Sequence, residues 1–129
     1  MKNIIAVLAL VLLSGCSTVV GWVPSFNDVN QSAKIIDVRQ DVESIDCGQP
    51  QLAQAQRLQR DLQWFHLYSE SSGVRHNDVL RLIAPMEEAV KDWADRAAKE
   101  QPSKIYCDIK KNILREQAKS AAKAVIGRF

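Results

Sequence analysis

Three features of the sequence predict an all-α fold, a disulfide-stapled up-down bundle of three to four helices. Apolar residues recur at spacings of three and four from Gln31 onward. Turn-forming residues cut that pattern into segments of similar length: Gly48 with Pro50, the run over 69–77, and Pro102 with Ser103. Two cysteines, Cys47 and Cys107, fall where such a bundle brings helix ends together. No alternating run long enough for a strand competes, and there is no internal repeat or low-complexity tract.

The first helix is expected from Gln31, with Ile35, Val38, Val42 and Ile45 on one face. Asn30 or Ser32 would cap it, and Gly48 would supply the left-handed residue beyond its end. Pro50 permits a second helix to begin. Its stripe is Leu52, Ala55, Leu58, Leu62 and Phe65, and it should run to about Tyr68. The polar connection over 69–77 (SESSGVRHN) follows, and Asn77 or Asp78 suits the cap of a third helix. Val79, Leu82, Met86, Val90, Trp93 and Ala97 make the third stripe, with Pro85 expected to bend or divide the helix. Ile105, Ile109, Ile113, Ala121 and Val125 are read as the stripe of a fourth helix, ending near Gly127. Short connections between helices of similar length favour up-down order.

Up-down order carries a covalent expectation. Cys47 ends the first helix and Cys107 opens the fourth, so both fall at the same end of the bundle. A Cys47–Cys107 disulfide is expected, closing a loop long enough to stabilise by about 4 kcal/mol in the chain-entropy picture. A redox-active pair is the weaker reading, because there is no Cys-x-x-Cys spacing.

The first residues have a different character. Met1-Lys2-Asn3 is short and positive, and residues 4–13 (IIAVLALVLL) form an apolar run. Ten residues fall short of the ~20 needed to span a hydrocarbon core, but they suit a secretory signal peptide. Leu13-Ser14-Gly15-Cys16 comes next. This run resembles the lipobox of bacterial lipoproteins, and the resemblance covers the first 16 residues only. It implies a signal peptide over 1–15, removed before Cys16, with lipid added to the Cys16 thiol. Ser17, rather than Asp, implies sorting to the outer membrane, with the protein on its periplasmic face. Several acyl chains, palmitate among them, would hold the protein firmly. The body of the chain resembles no family.

Residues 16–30 are expected to be the lipidated cysteine and a linker, and 31–129 the helical domain. The linker is apolar for a tether, with Val19, Val20, Trp22, Val23 and Phe26. Trp22 and Phe26 suit the lipid headgroup level, or they fold back on the domain. Trp64 lies off the second stripe. It is a candidate partner contact, like Trp22, or it packs on a neighbouring loop or helix.

Composition excludes more than it selects. Without residues 1–15 the chain has 16 Lys and Arg against 15 Asp and Glu, and aromatic residues are 6% of the whole. Neither value supports binding to nucleic acid. His66, Glu70 and His76 are too few and too ill-spaced for a zinc site, and Ser69-Glu70-Ser71-Ser72-Gly73 lacks nucleophile-elbow spacing. No catalytic, cofactor-binding or metal-binding residue is expected. The sequence therefore points to an envelope lipoprotein acting as a structural or accessory interaction protein. An outer spanin subunit for phage lysis, a phage lipoprotein for superinfection exclusion, and a small envelope hydrolase are the alternatives. A frame overlapping a lysis enzyme would favour the spanin.

Overall fold

A computed structural model describes residues 28–73 and 76–127 of the chain. Residues 1–15, read as the signal peptide, and Cys16 lie outside them. Within them the chain forms four helices: α1 (Val29–Glu43), α2 (Gln51–Ser71), α3 (Asn77–Lys99) and α4 (Lys104–Ile126). Each packs against two others, α1 on α2 and α4, and α3 on α2 and α4. The ring of contacts is that of an up-down four-helix bundle.

Asp28 starts α1. Its Oδ1 accepts from the backbone N–H groups of Asn30 (2.8 Å) and Gln31 (3.2 Å). The cap is therefore Asp28 rather than Asn30 or Ser32, and the helix begins two residues earlier than expected. Beyond α1, Gly48 is not left-handed. Asp46 Oδ1 accepts from Gly48 N–H (2.8 Å), and this side-chain turn reverses the chain without a positive φ. The positive φ falls instead on Gly73 (+89°), just past α2, which runs three residues beyond Tyr68.

Helix α3 is continuous through Pro85. Pro85 and Arg81, the residue whose carbonyl loses its helical partner, both lie on the exposed side of α3. His76, not Asn77 or Asp78, occupies the cap position of α3. Ser103 caps α4, its Oγ accepting from Tyr106 N–H at 3.2 Å.

The interior of α2 follows Gln51, Ala55, Leu58, Leu62, Phe65 and Ser69, and that of α3 follows Val79, Ile83, Met86, Val90, Trp93 and Ala97. Ile83 replaces the expected Leu82, which is exposed, and Leu52 is only half-buried. Helix α4 departs further. Ile105, Ile109 and Ile113 are 73%, 55% and 44% exposed, while Cys107, Leu114, Ala118, Ala121, Ala122 and Val125 are buried. The expected stripe was geometrically inconsistent. From 105 to 121 is sixteen residues, which at 3.6 residues per turn rotates the helix by about 160° past whole turns. The two halves of that stripe face opposite ways, and the core takes the Ala121 and Val125 half.

Both ends of the bundle are tied. At one, Cys47 and Cys107 are bonded with their Cα atoms 5.6 Å apart, as expected. Lys111 Nζ donates to the Ile45 carbonyl beside them (2.6 Å). The buried Gln51 opens α2 there. Its Oε1 accepts from Trp93 Nε1–H (2.9 Å), its Nε2 donates to the Pro102 carbonyl (2.9 Å), and its backbone N–H donates to Gln101 Oε1 (3.2 Å). At the other end the buried Gln31 Nε2 donates to Ser69 Oγ (2.9 Å) and His76 Nδ1 (2.8 Å). Among the described residues no helix is long and apolar enough to cross a membrane.

The inversion of α4 is testable. Leu114→Ala should lower unfolding free energy by about 2–5 kcal/mol, and Ile109→Ala should change it by less than about 0.5 kcal/mol. Urea unfolding of the two variants reads the difference, and equal costs would contradict the observed rotation. In the same assay, replacing Cys47 and Cys107 together by Ser should cost about 4 kcal/mol.

Candidate functional site

The disulfide is the first sequence-predicted site that the structure places. Cys107 is fully buried, and the bond joins the α1–α2 turn to the first turn of α4; α1 stops at Glu43, so Cys47 lies four residues past its end instead of closing it as expected. It is a staple at the base of the core.

The polar residues singled out from the sequence are not brought together. His66 Nδ1 lies 2.9 Å from Glu87 Oε1 on α3. The pair sits in an open groove of about 330 Å³ between α2 and α3, floored by Leu62 and Val90. Glu70 and His76 do not line this groove. His76 instead faces Gln31 across the bundle end. Among the described residues no three His, Cys, Asp or Glu side chains form a metal-binding group.

A charged seam between α1 and α2 was not expected. Lys34 pairs with Asp61, and Arg57 Nη2 lies 2.6 Å from Asp41 Oδ1. Asp37, Gln40 and Arg60 complete the lining of a shallow polar depression there. Burial, and then the hydrogen bond it shares with Asp61, push the Asp41 carboxyl above its usual range, against the pull of Arg57. Burial also acts to raise Asp61, but hydrogen bonds from Asp41 and Lys34 outweigh it and hold that carboxyl below its usual range. The sequence did carry a signal. Lys34 and Asp41 are seven residues apart, Arg57 and Asp61 four apart, and both pairs flank an apolar stripe.

Trp64 is 44% exposed. Its ring stacks on Tyr68, centroids 5.0 Å apart, and Lys34 Nζ lies 5.6 Å from the Trp64 centroid. Tyr68 is held in turn: its hydroxyl donates to Asp28 Oδ2 (3.1 Å) and accepts from Asn30 Nδ2 (2.9 Å). Trp64 thus packs on Tyr68 of its own helix and beside Lys34 of α1, and presents its remaining face to solvent. Trp22 lies outside the described residues.

The remaining surface feature is the outer face of α4. Ile105, Ile109 and Ile113 stand one turn apart in a row, on the side of the helix opposite Leu114 and Cys107. No family model matches this chain, and no curated protein or solved structure does either. Its chemistry is read from these surfaces alone. Among the described residues the isoleucine row of α4 and Trp64 of α2 are two separate exposed apolar surfaces.

The seam generates a pH dependence. The Asp61 carboxyl lies lower in the folded chain than its ordinary 3.8, so its ionised form stabilises the fold. That contribution is present above the ordinary value and is lost as pH falls through the lower folded value. Asp41 has the opposite sign: its raised carboxyl costs stability when ionised, and the cost disappears as pH falls through the raised value. Asp61→Asn should therefore destabilise the protein at neutral pH, with the gap to the parent narrowing as pH falls from the ordinary carboxylate value through the lower folded one. Asp41→Asn should remove the stability that the parent gains on moderate acidification. Urea midpoints across a pH series read both effects.

Proposed function

We propose that this chain is a lipid-anchored envelope lipoprotein that works by holding a protein partner. The outer face of α4 is the observation that carries the partner part of this reading. The core is complete without Ile105, Ile109 and Ile113, so their exposure serves nothing inside the bundle. A convex helical ridge with side chains at i, i+4 and i+8 fits an apolar groove, the geometry of helix-in-groove recognition. The partner is thus an envelope protein that offers a concave apolar surface.

The anchor part rests on sequence: the positive start, the ten-residue apolar run and Leu13-Ser14-Gly15-Cys16. The Cys47–Cys107 bond supports export, because such bonds persist in oxidising compartments. It also suits an adaptor, because a stapled bundle presents a surface without paying ordering entropy at each encounter.

Two substitutions separate the parts. Cys16→Ala should move the protein from the membrane fraction to the soluble fraction of the envelope. Ile109→Lys should leave it in the membrane and fully folded, and should abolish the partner captured by crosslinking in intact envelopes. Retained capture by Ile109→Lys would rule out the α4 face. Capture of an inner-membrane lysis subunit would assign the chain to host lysis.

A further inference from the structure

The aromatic pair Trp64–Tyr68 sits where the chain leaves the described bundle. The Tyr68 hydroxyl is bonded to the side chains of Asp28 and Asn30, the first residues of the folded part. Trp64 stacks on the Tyr68 ring and keeps 44% of its surface open. Leu67, three residues along the outer side of α2, is 52% exposed. Together they make a small apolar platform whose aromatic part is already fixed by the Asp28 and Asn30 hydrogen bonds and by the Lys34 ammonium near the Trp64 ring.

The eleven residues that precede Asp28 are STVVGWVPSFN. Five are large and apolar (Val19, Val20, Trp22, Val23 and Phe26), a composition that water solvates poorly. An extended chain covers at most about 3.5 Å per residue. Phe26 can thus stand up to about 7 Å from Asp28, and Trp22 about 21 Å. The isoleucine face of α4 is further. Antiparallel packing of α1 and α4 places Ile126 at the Asp28 end, and Ile109 lies seventeen residues back, about 25 Å along the helix. Phe26 cannot reach it and Trp22 reaches at most its near end, whereas the Trp64–Tyr68 pair, joined directly to the Asp28 carboxylate, lies within reach of the whole segment.

We propose that residues 19–26 dock on the Trp64–Tyr68–Leu67 platform of α2. Covalent attachment beside the platform gives the segment a high effective concentration, so a modest apolar contact suffices to hold it. The occupant is this chain's own segment, not a bilayer and not a second protein. The consequence for anchoring rests on the proposed lipoprotein reading: a docked segment shortens the leash from Cys16 and holds the α1–α2 side of the bundle close to the membrane.

The test places the photocrosslinker p-benzoylphenylalanine at position 22 of the full-length protein, made with its own leader and irradiated in intact envelopes. Mass spectrometry is expected to find intramolecular crosslinks from position 22 to the α2 peptide that carries Trp64 and Leu67. Adding Trp64→Glu should reduce that product by about tenfold, the effect of removing one aromatic anchor from a weak contact. Circular dichroism and the intact Cys47–Cys107 bond verify that this variant is folded. Crosslinks to lipid or to another protein, or a yield indifferent to Trp64→Glu, would overturn the proposal. The N-terminal peptide of the same digest shows by its mass whether Cys16 carries acyl chains, so failure of the anchor reading is seen separately.

Discussion

The bond between Cys47 and Cys107 decides which way α4 faces. Cys107 lies in the first turn of that helix, fully buried, and its sulfur must reach Cys47 in the turn between α1 and α2. Once Cys107 points inward, the helical period carries Leu114, Ala118, Ala121 and Val125 inward as well. The three isoleucines are then turned outward. A small core with many alanines on one helix does not by itself enforce this choice, because isoleucine buries more apolar surface than alanine. The covalent link restricts the choice that packing energy alone would leave open.

Hydrogen-bonded amides complete what the disulfide begins. Gln51 joins the start of α2 to Trp93 of α3 and to the α3–α4 turn. Gln31 joins the start of α1 to the end of α2 and the start of α3. Each is a buried polar side chain with its partners in place, so a slip of one helix along another would leave an amide unsatisfied. The salt bridges are of a different kind. Arg115 with Glu43, and Lys110 with Asp92, lie along helix–helix seams at the surface, where water limits their contribution.

Much of this architecture is legible in the sequence because it depends on period and punctuation. Apart from Leu52, whose inward place Gln51 takes, and Ile45, which is buried just past the end of α1, the stripes of α1 and α2 sit on the residues that spacing picks out, and the cysteine pairing follows from up-down order. The errors share a physical origin. On α4, isoleucines at 105, 109 and 113 mimic a core stripe, and hydrophobicity alone does not distinguish a face turned to the core from one left exposed. On α3, Leu82 and Ile83 are adjacent and either fits the spacing locally; the step of four from Val79 selects Ile83. Asp28 was hidden as a cap because it follows an apolar stretch, and the seam of Lys34, Asp41, Arg57 and Asp61 depends on pairings between helices that no single helix reveals. The platform around Trp64 depends on the same kind of pairing, through Tyr68 and Asp28.

The two buried glutamines have a further effect on how this molecule can associate. The apolar interior closes at each end in amide, hydroxyl and imidazole groups: Gln51 with the Pro102 carbonyl at one end, and Gln31 with Ser69 and His76 at the other. Two bundles stacked end on end would meet through these polar lids and would bury little oily surface in doing so. Growth along the long axis into rods is thereby discouraged. Among the described residues the largest row of exposed aliphatic side chains runs along the flank of α4, so the apolar surface left open lies on the side of the bundle and not at its ends.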